Sequence, residues 1–254
     1  MVTGASSGIG RAVAVALGAR GCRVALVARR REALEAVAEA VREAGGEGIP
    51  VPADLTTDGG CAAAVEGAVE ALGGLRLLVP NAGIGRYATV ETQPADHAEA
   101  TIRINYLGTV HTVRHALPHL LAAAPSAVVA VTSSAGLIPH RLGSAYCASK
   151  AAVNAYLAAL RLEVADRGVR VSWICPGAVR TPFFDDAGLD PDRDLPLLAR
   201  LLVRQLEPEV VARAVLRAAR RGRPEVVIPP MLRMFAFTRR LAPTLADWVN
   251  RKLP

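Results

Sequence analysis

Tyr146 stands four residues before Lys150 in a strongly helical segment, so both side chains share one helix face with Cβ atoms about 5–6 Å apart. A free phenol titrates near pH 10 and is almost wholly neutral at pH 7. An ammonium fixed beside it favours the phenolate, so the phenol can give and take a proton near neutrality. Lowering it by about 3 units corresponds to about 4 kcal/mol of differential stabilisation. Lys150 and Lys252 are the only lysines in a chain that otherwise uses arginine for its cations, which points to a need for a compact, tunable ammonium at 150. Ser133 closes a short apolar run upstream, where a hydroxyl can hydrogen-bond a carbonyl oxygen. Both features have plain structural alternatives: Tyr-x-x-x-Lys is common by chance, and neighbouring Ser134 shows how ordinary a serine is at a strand end.

A second group of residues suits phosphate. Thr3-Gly4-Ala5-Ser6-Ser7-Gly8-Ile9-Gly10 falls where a first strand would meet a first helix. Glycines let the backbone approach a pyrophosphate, and a helix N-terminus offers free N–H groups and partial positive charge. In a dinucleotide fold, an acid about twenty residues further on would grip the ribose 2′-hydroxyl of NAD. Here the second apolar run ends Leu26-Val27-Ala28 and passes into Arg29-Arg30-Arg31. A guanidinium suits a 2′-phosphate instead, so NADP(H) is expected over NAD(H), with Arg29 the contact. A solvated, arginine-rich helix start is the alternative.

These residues need a frame. The chain has 254 residues, of which 52% are hydrophobic and 21% charged, enough for a sizeable core and unlike a disordered or disulfide-stapled chain. Short apolar runs at 23–28, 48–52, 75–79, 127–132, 169–174 and 225–228 alternate with helical patterns at 9–20, 30–44, 59–72, 95–123, 144–167 and 208–221. Continuous apolar runs suit strands buried on both faces, and helical crossovers make such strands parallel. The expected fold class is α/β: a single doubly wound Rossmann-type domain over 1–254, with a parallel sheet of about seven strands. Only Met1 and Val2 precede the glycine turn, so the first strand is either unusually short or missing residues at this start.

In order and suitably spaced, these motifs resemble the short-chain dehydrogenase/reductase family over essentially the whole chain. The matching pieces are the TGASSGIG turn, Asp54 in Pro-Ala-Asp-Leu, Asn81-Ala82-Gly83, Asn105, Ser133, Tyr146, Lys150, and Pro176-Gly177 through Thr181. The resemblance implies an NAD(P)(H)-dependent oxidoreductase acting on alcohols and carbonyls, assembled as a homodimer or homotetramer. Tyr146 would be the general acid/base, and Lys150 would lower its pKa and hold the nicotinamide ribose. Ser133 would orient the carbonyl, and Asn105 would support a proton relay through water to Lys150. Asp54 with Leu55 would meet the adenine, Asn81 with Ala82 and Gly83 would brace the cofactor side, and Val179 and Thr181 would lie near the nicotinamide amide. The chain departs from the family in its short first strand and in Pro80, where asparagine is usual. A substrate lid is implied over 182–206, and its apolar residues, Phe183 and Phe184 among them, suggest a lipophilic substrate; core-packing helices are the alternative.

Other signals are weaker. The four cysteines are far apart and read as buried, reduced residues. His111, His115 and His119 repeat every four residues, but a helix rises about 12 Å over that span, too far for one ion. No metal is expected, and a polar stripe at a subunit contact suits them better. No apolar run spans a membrane, and the first residues lack a signal-peptide pattern, so a cytoplasmic protein is expected. The net charge of +7 comes entirely from the C-terminal fifth. There the 231–254 extension mixes apolar residues with arginines, which suits a subunit or lid contact with a solvated rim, with peripheral contact with an anionic membrane as the alternative. Nucleic-acid binding lacks a reading helix or stacking platform. A catalytically silent NADP-binding sensor or scaffold would require a broken relay, and Asn105, Ser133, Tyr146 and Lys150 are all present.

Overall fold

A strand buried on both faces needs apolar side chains pointing both ways, and β5 (Ser126–Val131) is buried along its whole length. Val128 and Ala130 enter one hydrophobic cluster, while Ala127, Val129 and Val131 enter another. The computed structural model describes residues 1–187 and 205–244. Among these, the strands are β1 (Val2–Thr3), β2 (Arg23–Ala28), β3 (Glu47–Pro52), β4 (Leu77–Leu78), β5, β6 (Val169–Pro176) and β7 (Glu225–Ile228). The helices are α1 (Gly8–Gly18), α2 (Arg31–Glu43), α3 (Asp58–Leu72), α4 (His97–Ile102), α5 (Gly108–Ala122), α6 (Ser144–Glu163), α7 (Phe183–Asp186), α8 (Pro208–Arg221) and α9 (Met231–Leu241).

Every strand pairing is parallel. One ladder runs β1-β2-β3 and the other β4-β5-β6-β7, with a bridge between Val2 and Val79 joining them. The architecture is a Rossmann-type α/β fold. Helices α1, α2 and α8 cover one face, and α3, α5 and α6 the other. Connections leave the β1–β4 junction in opposite directions, which opens a crevice at the strand C-termini.

The junction is short but densely bonded. β1 pairs only Val2 with Leu26 and Thr3 with Val27. On its other side Thr3 N–H donates to Val79 O (3.1 Å) and Val79 N–H to Met1 O (2.9 Å). The Thr3 hydroxyl then accepts from the N–H groups of Asn81 (2.9 Å) and Ala82 (3.0 Å). Pro80 contributes its carbonyl, which accepts Val131 N–H at 2.8 Å.

Several boundaries differ from the sequence pattern. β4 spans Leu77–Leu78 rather than 75–79, and Val79 bridges Val2 on the other side. α6 ends at Glu163, short of 167. The expected helix over 95–123 is split by a π turn at Arg103–Leu107. Pro118 lies inside α5 without ending it, removing only one hydrogen-bond donor from the helix. On α5, His111, Arg114 and His115 all converge on Asp58 of α3, at 2.7–3.1 Å, so much of the histidine stripe is occupied within the chain.

At the C-terminal end, the arginines of α8 form its exposed face while its apolar residues are buried. α9 turns Leu232 inward and leaves Met234, Phe237 and Leu241 more than 60% exposed. Residues 188–204 of the expected lid and 245–254 of the extension lie outside the described residues. No described helix is long and apolar enough to cross a membrane.

Replacing Thr3 with valine keeps the shape but strands two N–H groups beside a buried hydroxyl site. Thr3→Val is expected to cost about 2 kcal/mol, read as a lowered urea midpoint at unchanged slope.

Candidate active site

A cleft of about 1690 Å³ runs across the C-terminal ends of the strands. At one end Gly4, Ser6, Ser7, Gly8 and Ile9 line it at the start of α1. Gly4 adopts φ +63°, and Gly10 packs against it so closely that a Cβ would stand 2.2 Å from Gly4 O. Gly10 therefore shapes the turn from behind and does not line the cleft. Asn81 secures the same turn, its side-chain amide donating to Thr3 O (3.0 Å) and Gly4 O (3.3 Å).

Arg29 and Arg30 follow β2 along the cleft wall, both exposed and, among the described residues, in no ion pair. Arg31, by contrast, faces Glu35 at 4.0 Å. Asp54 and Leu55 line the neighbouring wall, with Asp54 Oδ1 accepting Thr56 N–H at 3.0 Å. Ala82, Gly83, Pro176, Gly177, Val179 and Thr181 continue the lining towards the other end. Val179 is pinned by a bridge to Leu206. A glycine turn at a helix start, cations past β2 in no ion pair among the described residues, and a cleft joining them fit a dinucleotide.

The far end gathers Ser133, Tyr146 and Lys150. Ser133 leaves β5 and caps a short 3-10 turn, its Oγ accepting Ala135 N–H at 3.1 Å. Its hydroxyl also lies near enough to the Tyr146 phenol to favour the phenolate. Lys150 lies one helical turn along α6, its Nζ 5.7 Å from the centre of the Tyr146 ring. Both side chains are buried.

Burial changes their electrostatics. It pushes the Tyr146 phenol up to about 12, although the Ser133 hydroxyl pulls the other way. It pushes the Lys150 ammonium down to about 8. The expected lowering of the phenol by the ammonium is thus not found: desolvation penalises both charged forms and dominates, although a lysine that titrates near 8 is still mostly protonated at pH 7.

Asn105 does not reach the cleft surface. The π turn directs it inward, where Oδ1 accepts Ile84 N–H (2.8 Å) and Nδ2 donates to Ile84 O (3.0 Å) and Ser149 Oγ (3.0 Å). Ser149 Oγ donates in turn to Tyr146 O at 2.7 Å. Asn105 thereby ties the segment after Asn81-Ala82-Gly83 to the first turns of α6. Gly83 sits between the groups, where a Cβ would meet Asn105 Oδ1 at 2.9 Å and Lys150 Nζ at 3.3 Å.

The structure adds residues that pattern reading missed. The Thr3 hydroxyl and Ser149 act as internal connectors, and Tyr87 packs beside Tyr146 with ring centres 6.1 Å apart. Phe183 covers the other side at 5.5 Å. Ser149 was visible beside Lys150, but no spacing rule distinguishes it from any other helix serine. Tyr87 had no local signal.

A family profile described as short chain dehydrogenase matches residues 1–192. The chain belongs to that family, a group of oxidoreductases that bind small-molecule substrates. It is 31% identical over 260 residues to a dehydrogenase/reductase SDR family protein 7-like from Anopheles gambiae, covering 99% of this chain and 81% of that one. Among solved structures, a short chain dehydrogenase/reductase from Burkholderia phymatum in complex with NAD superposes with TM-score 0.84 at 27% identity, covering 96% of this chain and 93% of that one. An alcohol dehydrogenase from Thermococcus sibiricus complexed with 5-hydroxy-NADP gives TM-score 0.78 at 28% identity, covering 89% and 94%.

A lysine whose pKa falls on folding leaves the unfolded chain binding more protons between about 8 and its ordinary 10.5, so stability rises with pH across that window. Below it the folded state carries the whole penalty, on the order of 3 kcal/mol. Lys150→Met is expected to raise the unfolding midpoint of the nucleotide-free protein at pH 7 and to flatten the gain between pH 8 and 10. Urea titrations of both proteins across that range check this; parallel pH profiles would refute it.

Proposed function

We propose that the chain is an NADP(H)-dependent oxidoreductase interconverting an alcohol and its ketone or aldehyde. The observation that carries this is the convergence of Ser133, Tyr146 and Lys150 at one end of a continuous cleft whose other end bears Arg29 and Arg30. Arg29 takes the 2′-phosphate that an acid at the end of β2 would repel. The serine-glycine turn, Asp54, Leu55, Asn81 and the 176–181 segment hold the rest of the nucleotide, and the bound nicotinamide supplies or accepts the hydride.

The chain's own residues manage the oxygen. Ser133 positions the substrate oxygen by hydrogen bonding, and Tyr146 gives it a proton in reduction and recovers the proton in oxidation. Lys150 holds the nucleotide's ribose, and its ammonium favours the phenolate that remains when Tyr146 gives up its proton. Asn105 supports the relay by fixing Ile84 and Ser149 around Lys150. Phe183, Phe184, Tyr87 and Leu232 around the proton donor favour a lipophilic substrate body.

Fluorescence titration is expected to show NADPH bound far more tightly than NADH, with Arg29→Ala weakening NADPH about 10- to 100-fold and NADH little, as loss of a charge-assisted contact predicts. In the same preparation Tyr146→Phe is expected to keep nucleotide affinity and lower turnover of an aryl ketone by about 10²–10⁴-fold. Equal affinity for both nucleotides in wild type would overturn the NADP assignment, and a fully active Tyr146→Phe would overturn the mechanism.

A further inference from the structure

The substrate end of the cleft has a rim that the proton-transfer chemistry does not use. Two segments build it, residues 84–88 and 138–143, stitched by Ala88 N–H donating to Leu142 O at 2.9 Å. Leu142 is the one non-glycine residue with positive φ (+65°) among the described residues, a conformation side chains disfavour. The turn it makes presents His140 and Arg141 to the cleft, which Arg86 also lines. Tyr87 stacks on His140 with ring centres 5.6 Å apart and planes 19° apart, and its other neighbour is Tyr146 at 6.1 Å. An aromatic path therefore leads from the proton donor to the rim in two ring-to-ring steps.

The charge along this path is uneven. Arg86 and Arg141 are exposed in the cleft wall and take part in no ion pair among the described residues. Among the described residues lining the cleft beyond Asp54, Glu99 is bound to Arg103, and Asp96 is the remaining acid. Loss of hydration opposes protonation of His140, while its hydrogen bond and charge interaction with Cys147 raise its pKa; because that partner is the thiolate, the two together add no net positive charge to the rim. The His140 Nδ1–H donates to Arg141 O at 2.9 Å, which holds ring and arginine backbone together. The nucleotide's own phosphates belong at the glycine turn and Arg29, so they do not account for these cations.

We propose that Arg86 and Arg141, with His140, form a subsite for an anionic group on the substrate, so that the preferred alcohol or carbonyl compound has a flat apolar body ending in a carboxylate, sulfate or phosphate. This rests on the oxidoreductase reading above for the reacting end and on the rim for the other. Guanidinium forks match such oxyanions, and the aromatic path between Tyr146 and His140 suits the body.

The test uses 4-acetylbenzoate and 4′-acetylbiphenyl-4-carboxylate, each against its methyl ester, with the NADPH complex of the wild type and of Arg86→Gln/Arg141→Gln. Binding is read from nicotinamide fluorescence and turnover from nicotinamide absorbance. The wild type is expected to bind at least one carboxylate ten-fold or more tighter than its ester, with the preference falling to within two-fold in the variant. Arg86→Lys/Arg141→Lys should recover part of it. Equal or tighter ester binding, or a preference that survives in the glutamine variant, overturns the proposal. So does loss of NADPH affinity in that variant, which would assign the cations to the nucleotide. Carboxylate preference without turnover upholds the subsite and removes the oxidoreductase reading, whereas turnover without preference does the reverse.

Discussion

The seam between β1 and β4 is the constraint on which the site depends. Only a two-residue strand lies there, yet it joins two otherwise separate ladders through Val2–Val79 and the Thr3 hydrogen bonds. The same few residues open the glycine turn and, through the Thr3 hydroxyl, hold Asn81 and Ala82. Nucleotide-facing backbone from both halves of the sheet is thus referred to one side chain. With a partner strand on each side and both faces buried, β1 has its groups nearly all bonded or packed.

Around that seam, burial does opposing things to stability and chemistry. Tyr146 and Lys150 are excluded from water, so each resists its charged form when no nucleotide is present. Such a pair is poised to respond to whatever enters the cleft, since any fixed charge or hydrogen-bond donor there acts without much solvent screening. The cost is accepted locally and offset by the apolar clusters on both sheet faces. Asn105, bonded at every polar atom of its side chain, keeps the polar interior beside Lys150 from becoming a defect.

The two ends of the cleft differ in how they use charge. Arg29 and Arg30 project from the edge of β2, where a strand end meets solvent, while Arg86 and Arg141 are carried on interlocked loops. The first pair follows from where the strand ends. The second depends on two distant loops meeting, on the Leu142 turn and on one aromatic stack.

That contrast marks what the sequence by itself determined. The alternation of apolar runs and amphipathic segments, the glycine turn, Arg29 at a strand end, and Tyr146 one turn from Lys150 are all local facts, because side-chain periodicity and turn chemistry act over a few residues. Ser133 was legible for the same reason, at the end of an apolar run. Tertiary structure alone decided the rest. The π turn that sends Asn105 to Ile84 cannot be seen in a pattern that stays helical from 95 to 123. Nor can the pairing of Val79 with a strand more than seventy residues away. Tyr87 became part of the site only because Ala88 meets Leu142. The phenol's pKa rose, against local expectation, because desolvation is set by every segment that closes over Tyr146 and not by the lysine four residues along.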